Sequence, residues 1–148
     1  MLKKILPPTY LLFAIILALV LHFILPLRTI ITIPWNLLGI LPLVLGVMFN
    51  LIADRSFKFN QTTVKPFQES NKLITEGIFR VSRHPMYLGF VLILLGIAIL
   101  LGSLSPYFVV LVFAIAMEIV FIRIEENMLA KRFGAEWDRY KSTVRKWI

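Results

Sequence analysis

The sequence predicts an all-α integral membrane protein of about four transmembrane helices, and three observations carry that prediction. Of 148 residues, 59% are hydrophobic and only 16% are charged, whereas a soluble domain is about half apolar and a quarter charged. The apolar residues collect into four long runs, and the positive charges that make the net charge +8 flank those runs. Of the 16 Lys and Arg residues, only Arg28 falls on one side of the implied bilayer.

A helix rising 1.5 Å per residue needs about 20 apolar residues to cross the hydrocarbon core. The first run, 8–27, contains no charged residue. Lys3 and Lys4 precede it like the start of a signal peptide. The run is long for such a leader and lacks a small-residue cleavage site, so it is expected to be retained. A short segment ending at Pro34 leads into the second span, 35–53, which Asp54-Arg55 closes. Residues 54–85 are polar and carry six basic residues, and a loop that long in so small a protein is usually functional or disordered. The third span, 86–101, and the fourth, 107–124, are joined by Gly102-Ser103-Leu104-Ser105-Pro106. So short a connection makes them antiparallel neighbours. An amphipathic tail, 125–148, follows, and the whole chain, 1–148, reads as one membrane domain.

The positive-inside rule places both termini and the middle loop in the cytoplasm of a multi-pass protein of the inner or plasma membrane. Basic residues at span ends report topology and contact with anionic headgroups, so membrane lipids and not nucleic acid are the expected partners. Cysteine is absent, which excludes disulfides and thiolate chemistry. With two distant histidines, His22 and His84, no metal site is expected. His22 reads as a polar packing residue, and Arg139, Lys141, Arg145 and Lys146 with Trp137, Tyr140 and Trp147 read as anchors of the tail in the headgroup layer. The oligomeric state is left open.

Two charged segments meet across the hairpin. One contains Leu73-Ile74-Thr75-Glu76-Gly77-Ile78-Phe79 and then Arg83-His84-Pro85-Met86-Tyr87-Leu88-Gly89. The other contains Glu118, Arg123, Glu125-Glu126, Leu129, Phe133-Gly134, Trp137 and Tyr140. Pro85 suits a first helical turn, which puts Arg83 and His84 at a helix N-terminus, where free amides and the dipole favour anionic groups. His84 and Tyr87 share a helix face, and Gly89 permits close approach of a backbone or a ligand. In a regular helix Glu118, Ile122, Glu125 and Leu129 also share a face. Glu118 lies deep enough that it should face the bundle interior or a wet cavity.

These motifs resemble the isoprenylcysteine carboxyl methyltransferase family, and the related phospholipid methyltransferases share parts of the pattern. The resemblance runs from about Phe67 to Tyr140. It implies an enzyme that uses S-adenosyl-L-methionine without a Rossmann domain, its cofactor site formed by the cytoplasmic loop and the C-terminal amphipathic helix. Carried over by position, cofactor binding falls to Asn71, Lys72, Leu73, Ile74, Phe79, His84, Pro85, Met86, Tyr87 and Glu125. Asn71 stands where the eukaryotic enzymes have His, and Phe79 where they have Tyr. The substrate side falls to Arg123, two residues before Glu125 where the family places its arginine about one turn before, and to Glu118. The expected acceptor is a lipophilic small molecule or lipid: an isoprenylcysteine-like carboxylate first, a phospholipid amine second. A non-catalytic membrane scaffold of the same fold is the alternative from another class.

Overall fold

A computed structural model describes residues 6–62 and 71–148 of the protein. Lys3, Lys4, Lys65 and Phe67 lie outside the described residues. Among the described residues every apolar run is helical and no strand forms beyond one isolated bridge between Thr29 and Ser103. Proline marks three helix starts: α1 (Pro7–Ile24), α3 (Pro85–Leu101) and α4 (Ser105–Met117) each carry Pro in the first turn. Its fixed φ fits there, and its missing N–H would have had no partner.

The second apolar run enters through a 3-10 turn, Trp35–Gly39, and continues as α2 (Ile40–Phe59). Sequence reading ended this helix at residue 53, and the structure carries it six residues further. Asp54 and Lys58 pair across one turn at 2.6 Å, and the Ser56 hydroxyl donates to the Ile52 carbonyl. Charge ends the apolar run without ending the helical hydrogen bonding.

After α4 the chain makes a π turn, Glu118–Ile122, and proceeds into α5 (Arg123–Phe133). Gly134, at φ +49°, breaks the direction, and α6 (Ala135–Thr143) follows. Among the described residues three helical stretches are long and apolar enough to cross a membrane: Pro7–Ile24, Trp35–Phe59 and Ser105–Phe133. The third expected span, 86–101, is α3, which has 17 residues, or about 26 Å of helix. It is the central helix, with α2 against one side and α1 and α4 against the others.

Glycine sets the α2–α3 contact. A Cβ on Gly96 would lie 2.6 Å from the Gly39 carbonyl oxygen and 2.7 Å from the Leu43 amide nitrogen; one on Gly46 would meet the Gly89 carbonyl oxygen at 2.5 Å. Small residues at such crossings let backbones approach, and dispersion then holds the helices together. Gly89 therefore makes room for a backbone. Gly96→Ala is expected to destabilise the protein by about 1–3 kcal/mol through forced separation of the helices, read as a lowered melting temperature in detergent.

At the end of the bundle remote from the charged segments, His22 Nδ1 lies 2.7 Å from the Ser103 hydroxyl, and Ser103 is buried. That is the packing role expected of His22. The Ile30 and Ile31 amides donate to the Gly102 carbonyl, and the Leu104 amide donates to the Arg28 carbonyl.

Candidate functional site

The site is built where α3 begins. Arg83 and His84 immediately precede Pro85, so the helix start fixes both side chains beneath α5 and the tail. Leu88 N–H donates to the His84 carbonyl as the first helical bond, and the His84 amide donates to the Ser82 hydroxyl. His84 is 5% exposed. Its Nε2 lies 3.3 Å from Glu126 Oε1 and its Nδ1 3.6 Å from Glu125 Oε2. One turn on, the Tyr87 hydroxyl donates to Glu125 Oε1 at 2.5 Å. Tyr87 also stacks on Phe121, which Tyr10 of α1 meets edge-on. The first helix thus packs beside the site.

Arg83 is the hub of the cluster. Its Nη2 pairs with Glu126 Oε1 at 2.8 Å, and both side chains are largely buried. Its Nη1 donates to the carbonyls of Lys141 and Val144, its backbone amide donates to Arg145, and its guanidinium lies 5.6 Å from the centre of the Trp137 ring. Its Nε is buried with no hydrogen-bond partner.

The tail folds back over the loop that precedes α3. Leu73, Ile74, Phe79, Trp137, Tyr140 and Val144 form a second apolar cluster, separate from the core between the helices. The Tyr140 hydroxyl donates to the Phe79 carbonyl at 2.6 Å. Burial holds that hydroxyl protonated well above its usual range, against a smaller opposing pull from Arg83. Trp137 and Tyr140 are therefore buried parts of the tail's own packing. The headgroup-anchor reading of these two residues is corrected, because the loop offered them an apolar surface.

The π turn resets the acidic face. It adds about one residue to that turn, which brings Glu118 into register with Glu126 and swings Glu125 towards α3. A single ammonium reports this: Lys146 Nζ is 2.7 Å from Glu118 Oε1 and 3.5 Å from Glu126 Oε2. The regular-helix expectation of Glu118 and Glu125 on one face is corrected accordingly. Lys146 likewise leaves the headgroup-anchor group, and its carbonyl accepts from the Ser82 hydroxyl.

Of the residues singled out from sequence, the structure brings His84, Pro85, Tyr87 and Glu125 into one cluster and joins Glu118 to it through Lys146. Met86 sits half-buried beside them. Leu73, Ile74 and Phe79 belong to the second apolar cluster, which meets the first where Arg83 touches Trp137. Asn71 and Lys72 are exposed, with Lys72 donating to the Asn60 side chain at 2.7 Å. The Arg123 side chain is 65% exposed, its Nε 3.8 Å from Glu118 Oε1. It borders a hollow of about 220 Å³ lined also by Glu126, Asn127, Ala130, Trp137 and Lys141. Sequence reasoning missed Arg83, Glu126 and Lys146 as members. Arg83 and Glu126 stood inside motifs already noted, whereas nothing local marks Lys146. Among the described residues no group of three His, Cys, Asp or Glu side chains is placed to hold a metal ion.

The sequence profile of the family described as phospholipid methyltransferase matches residues 34–136. An uncharacterised protein of Haemophilus influenzae is 38% identical over 63 residues, which cover 43% of this chain and the whole of that protein. The protein-S-isoprenylcysteine O-methyltransferase of Saccharomyces cerevisiae is 31% identical over 113 residues, 74% of this chain and 46% of that protein. Its namesake in Schizosaccharomyces pombe is 30% identical over 89 residues, 58% of this chain and 36% of that protein. The chain thus spans less than half the length of either yeast relative. No solved structure matches it.

Proposed function

The chain belongs to the phospholipid methyltransferase family, and from that premise we propose that it is an S-adenosyl-L-methionine-dependent methyltransferase of a lipophilic carboxylate. The proposed acceptor is an isoprenylcysteine-like compound at the cytoplasmic membrane face. The observation that carries the reading is the buried His84–Tyr87–Glu125 cluster, closed over by the tail through Arg83.

The residue set suits such a cofactor. A sulfonium joined to a zwitterionic amino-acid end calls for carboxylates opposite its cationic parts and a donor for its carboxylate. Glu125 supplies the first, and the unpartnered buried Nε of Arg83 supplies the second. When bound, the group supplies an electrophilic methyl.

The protein's own contribution is orientation and exclusion of water. His84 and Tyr87 fix Glu125 between them. Trp137 and the returning tail cover the cluster from the aqueous side. Arg123 steadies the acceptor carboxylate through charge-assisted hydrogen bonds. A carboxylate nucleophile needs no general base, so this arrangement works without a proton relay. A phospholipid amine would need one, and Glu118, with its Oε2 buried and unpartnered, is the group for that role.

The positive-inside count supports a site, both termini and a middle loop on the cytoplasmic side, where the cofactor is available, with the chain acting as one membrane domain. The test is calorimetric titration of S-adenosylhomocysteine into the detergent-solubilised protein, followed by transfer of a labelled methyl group to N-acetyl-S-farnesylcysteine or to phosphatidylethanolamine. Binding at micromolar affinity with methylation of the farnesylcysteine is the expected result. Methylation of the phospholipid alone would move the acceptor to the amine class. No binding by folded protein in detergent and in nanodiscs would overturn the methyltransferase reading and favour a scaffold.

A further inference from the structure

Two cations compete for one carboxylate oxygen. Glu118 Oε1 takes the Lys146 ammonium at 2.7 Å and lies 3.8 Å from Arg123 Nε. The lysine holds the closer place, and the tail backbone holds the lysine. Ser82 donates to the Lys146 carbonyl, and the neighbouring carbonyls of Arg145 and Val144 accept from Arg83. Arg83, in turn, occupies Glu126. Glu126, which lines the hollow, and Glu118, next to Arg123, are thus each engaged by a buried or half-buried cation, and the Arg123 guanidinium is left exposed at the hollow's edge.

From this, resting on the function proposed above, we propose that Lys146 is a positioning residue that sets acceptor specificity: by taking the nearer place on Glu118 it keeps Arg123 at the longer distance, exposed to receive an anionic acceptor group. Without the lysine, Glu118 would become an uncompensated, partly buried carboxylate with Arg123 within reach, and such a charge captures the nearest cation. The guanidinium would then turn inward, and the hollow would lose its positive edge. The acceptor class is thereby decided by the tail, about twenty residues beyond the arginine that would touch the substrate.

The experiment compares binding of N-acetyl-S-farnesylcysteine with that of its uncharged primary amide, using the full-length detergent-solubilised protein saturated with S-adenosylhomocysteine. The wild type is expected to prefer the carboxylate by about tenfold or more, the range of one charge-assisted hydrogen bond. Lys146→Met is expected to abolish that preference, leaving amide binding and S-adenosylhomocysteine binding in place. Lys146→Arg retains it. The double variant Glu118→Gln/Lys146→Met is expected to regain it, since no carboxylate remains to capture Arg123; a lysine that merely pinned the tail would not be rescued this way. Unchanged preference in Lys146→Met, or no recovery in the double variant, overturns the inference and leaves the methyltransferase reading standing. A wild type that binds no S-adenosylhomocysteine overturns both.

Discussion

Arg83→Ala is expected to cost about 3–5 kcal/mol of stability and to release the tail from the bundle. The guanidinium pairs with Glu126 at 2.8 Å, with side-chain exposures of 6% and 12%. Removing it leaves a largely buried carboxylate without its closest cation. It also leaves the Lys141 and Val144 carbonyls without the donor that ties the end of α6 to the start of α3. The measurement is hydrogen exchange across residues 135–148 together with a detergent melting curve. Loss of protection in the tail at a temperature where α2 and α3 stay protected is the expected pattern. A tail as protected as in wild type would sink the idea that Arg83 fastens it. Arg83→Lys separates charge from geometry: a point charge keeps the Glu126 pair but cannot fork to two carbonyls at once, so partial protection is expected. Pairing Arg83→Ala with Glu126→Gln should recover part of the loss, because the stranded charge is then gone.

That fastening also marks where the sequence stopped being readable. The apolar runs, the hairpin and the charged end were legible because the requirement for continuous apolar helix in lipid leaves few alternatives. His84, Tyr87 and Glu125 could be brought together from the hairpin alone, since Pro85 starts one helix at the face where the other leaves. The contact between Arg83 and residues 141–145 joins parts of the chain about sixty residues apart, and no periodicity encodes it. An amphipathic tail with Trp137, Tyr140 and Trp147 satisfies the interfacial pattern as well as it satisfies packing on Phe79. Only the shape of the preceding loop decides between them.

The π turn at Glu118–Ile122 was invisible for a different reason. One extra residue in a helical turn changes no composition and breaks no run of apolar residues, yet it rotates everything after it. Regular spacing put Glu118 with Glu125; the turn puts it with Glu126 and gives Lys146 both. The register of α5 is thus set by a local backbone choice, and a π turn beside a functional site is a recurrent place for that choice. The two-residue spacing between Arg123 and Glu125, short against the family's pattern, falls directly after it.

His84→Ala is expected to lower methyl transfer by about a hundredfold or more while helicity and yield stay unchanged, because a small displacement of reacting groups costs on that order. The ring is buried and sits between two carboxylates, with Nδ1 towards Glu125 and Nε2 towards Glu126. Alanine leaves a gap at the end of α3 and removes the group that keeps the two glutamates apart. Glu126 still has Arg83 and Lys146, so the fold survives. Glu125 keeps only Tyr87 among the partners described above, and its direction is then unsettled. S-adenosylhomocysteine titration separates the outcomes, with wild-type binding lost in the variant as the expected result. Binding retained with turnover lost would move His84 from holding the cofactor to aligning the acceptor. Turnover retained would remove it from the site. Tyr87→Phe supplies the comparison that a purely structural account does not survive. It keeps the ring that stacks on Phe121 and deletes only the hydroxyl on Glu125, so a weakened affinity at unchanged melting temperature assigns the effect to the position of that carboxylate.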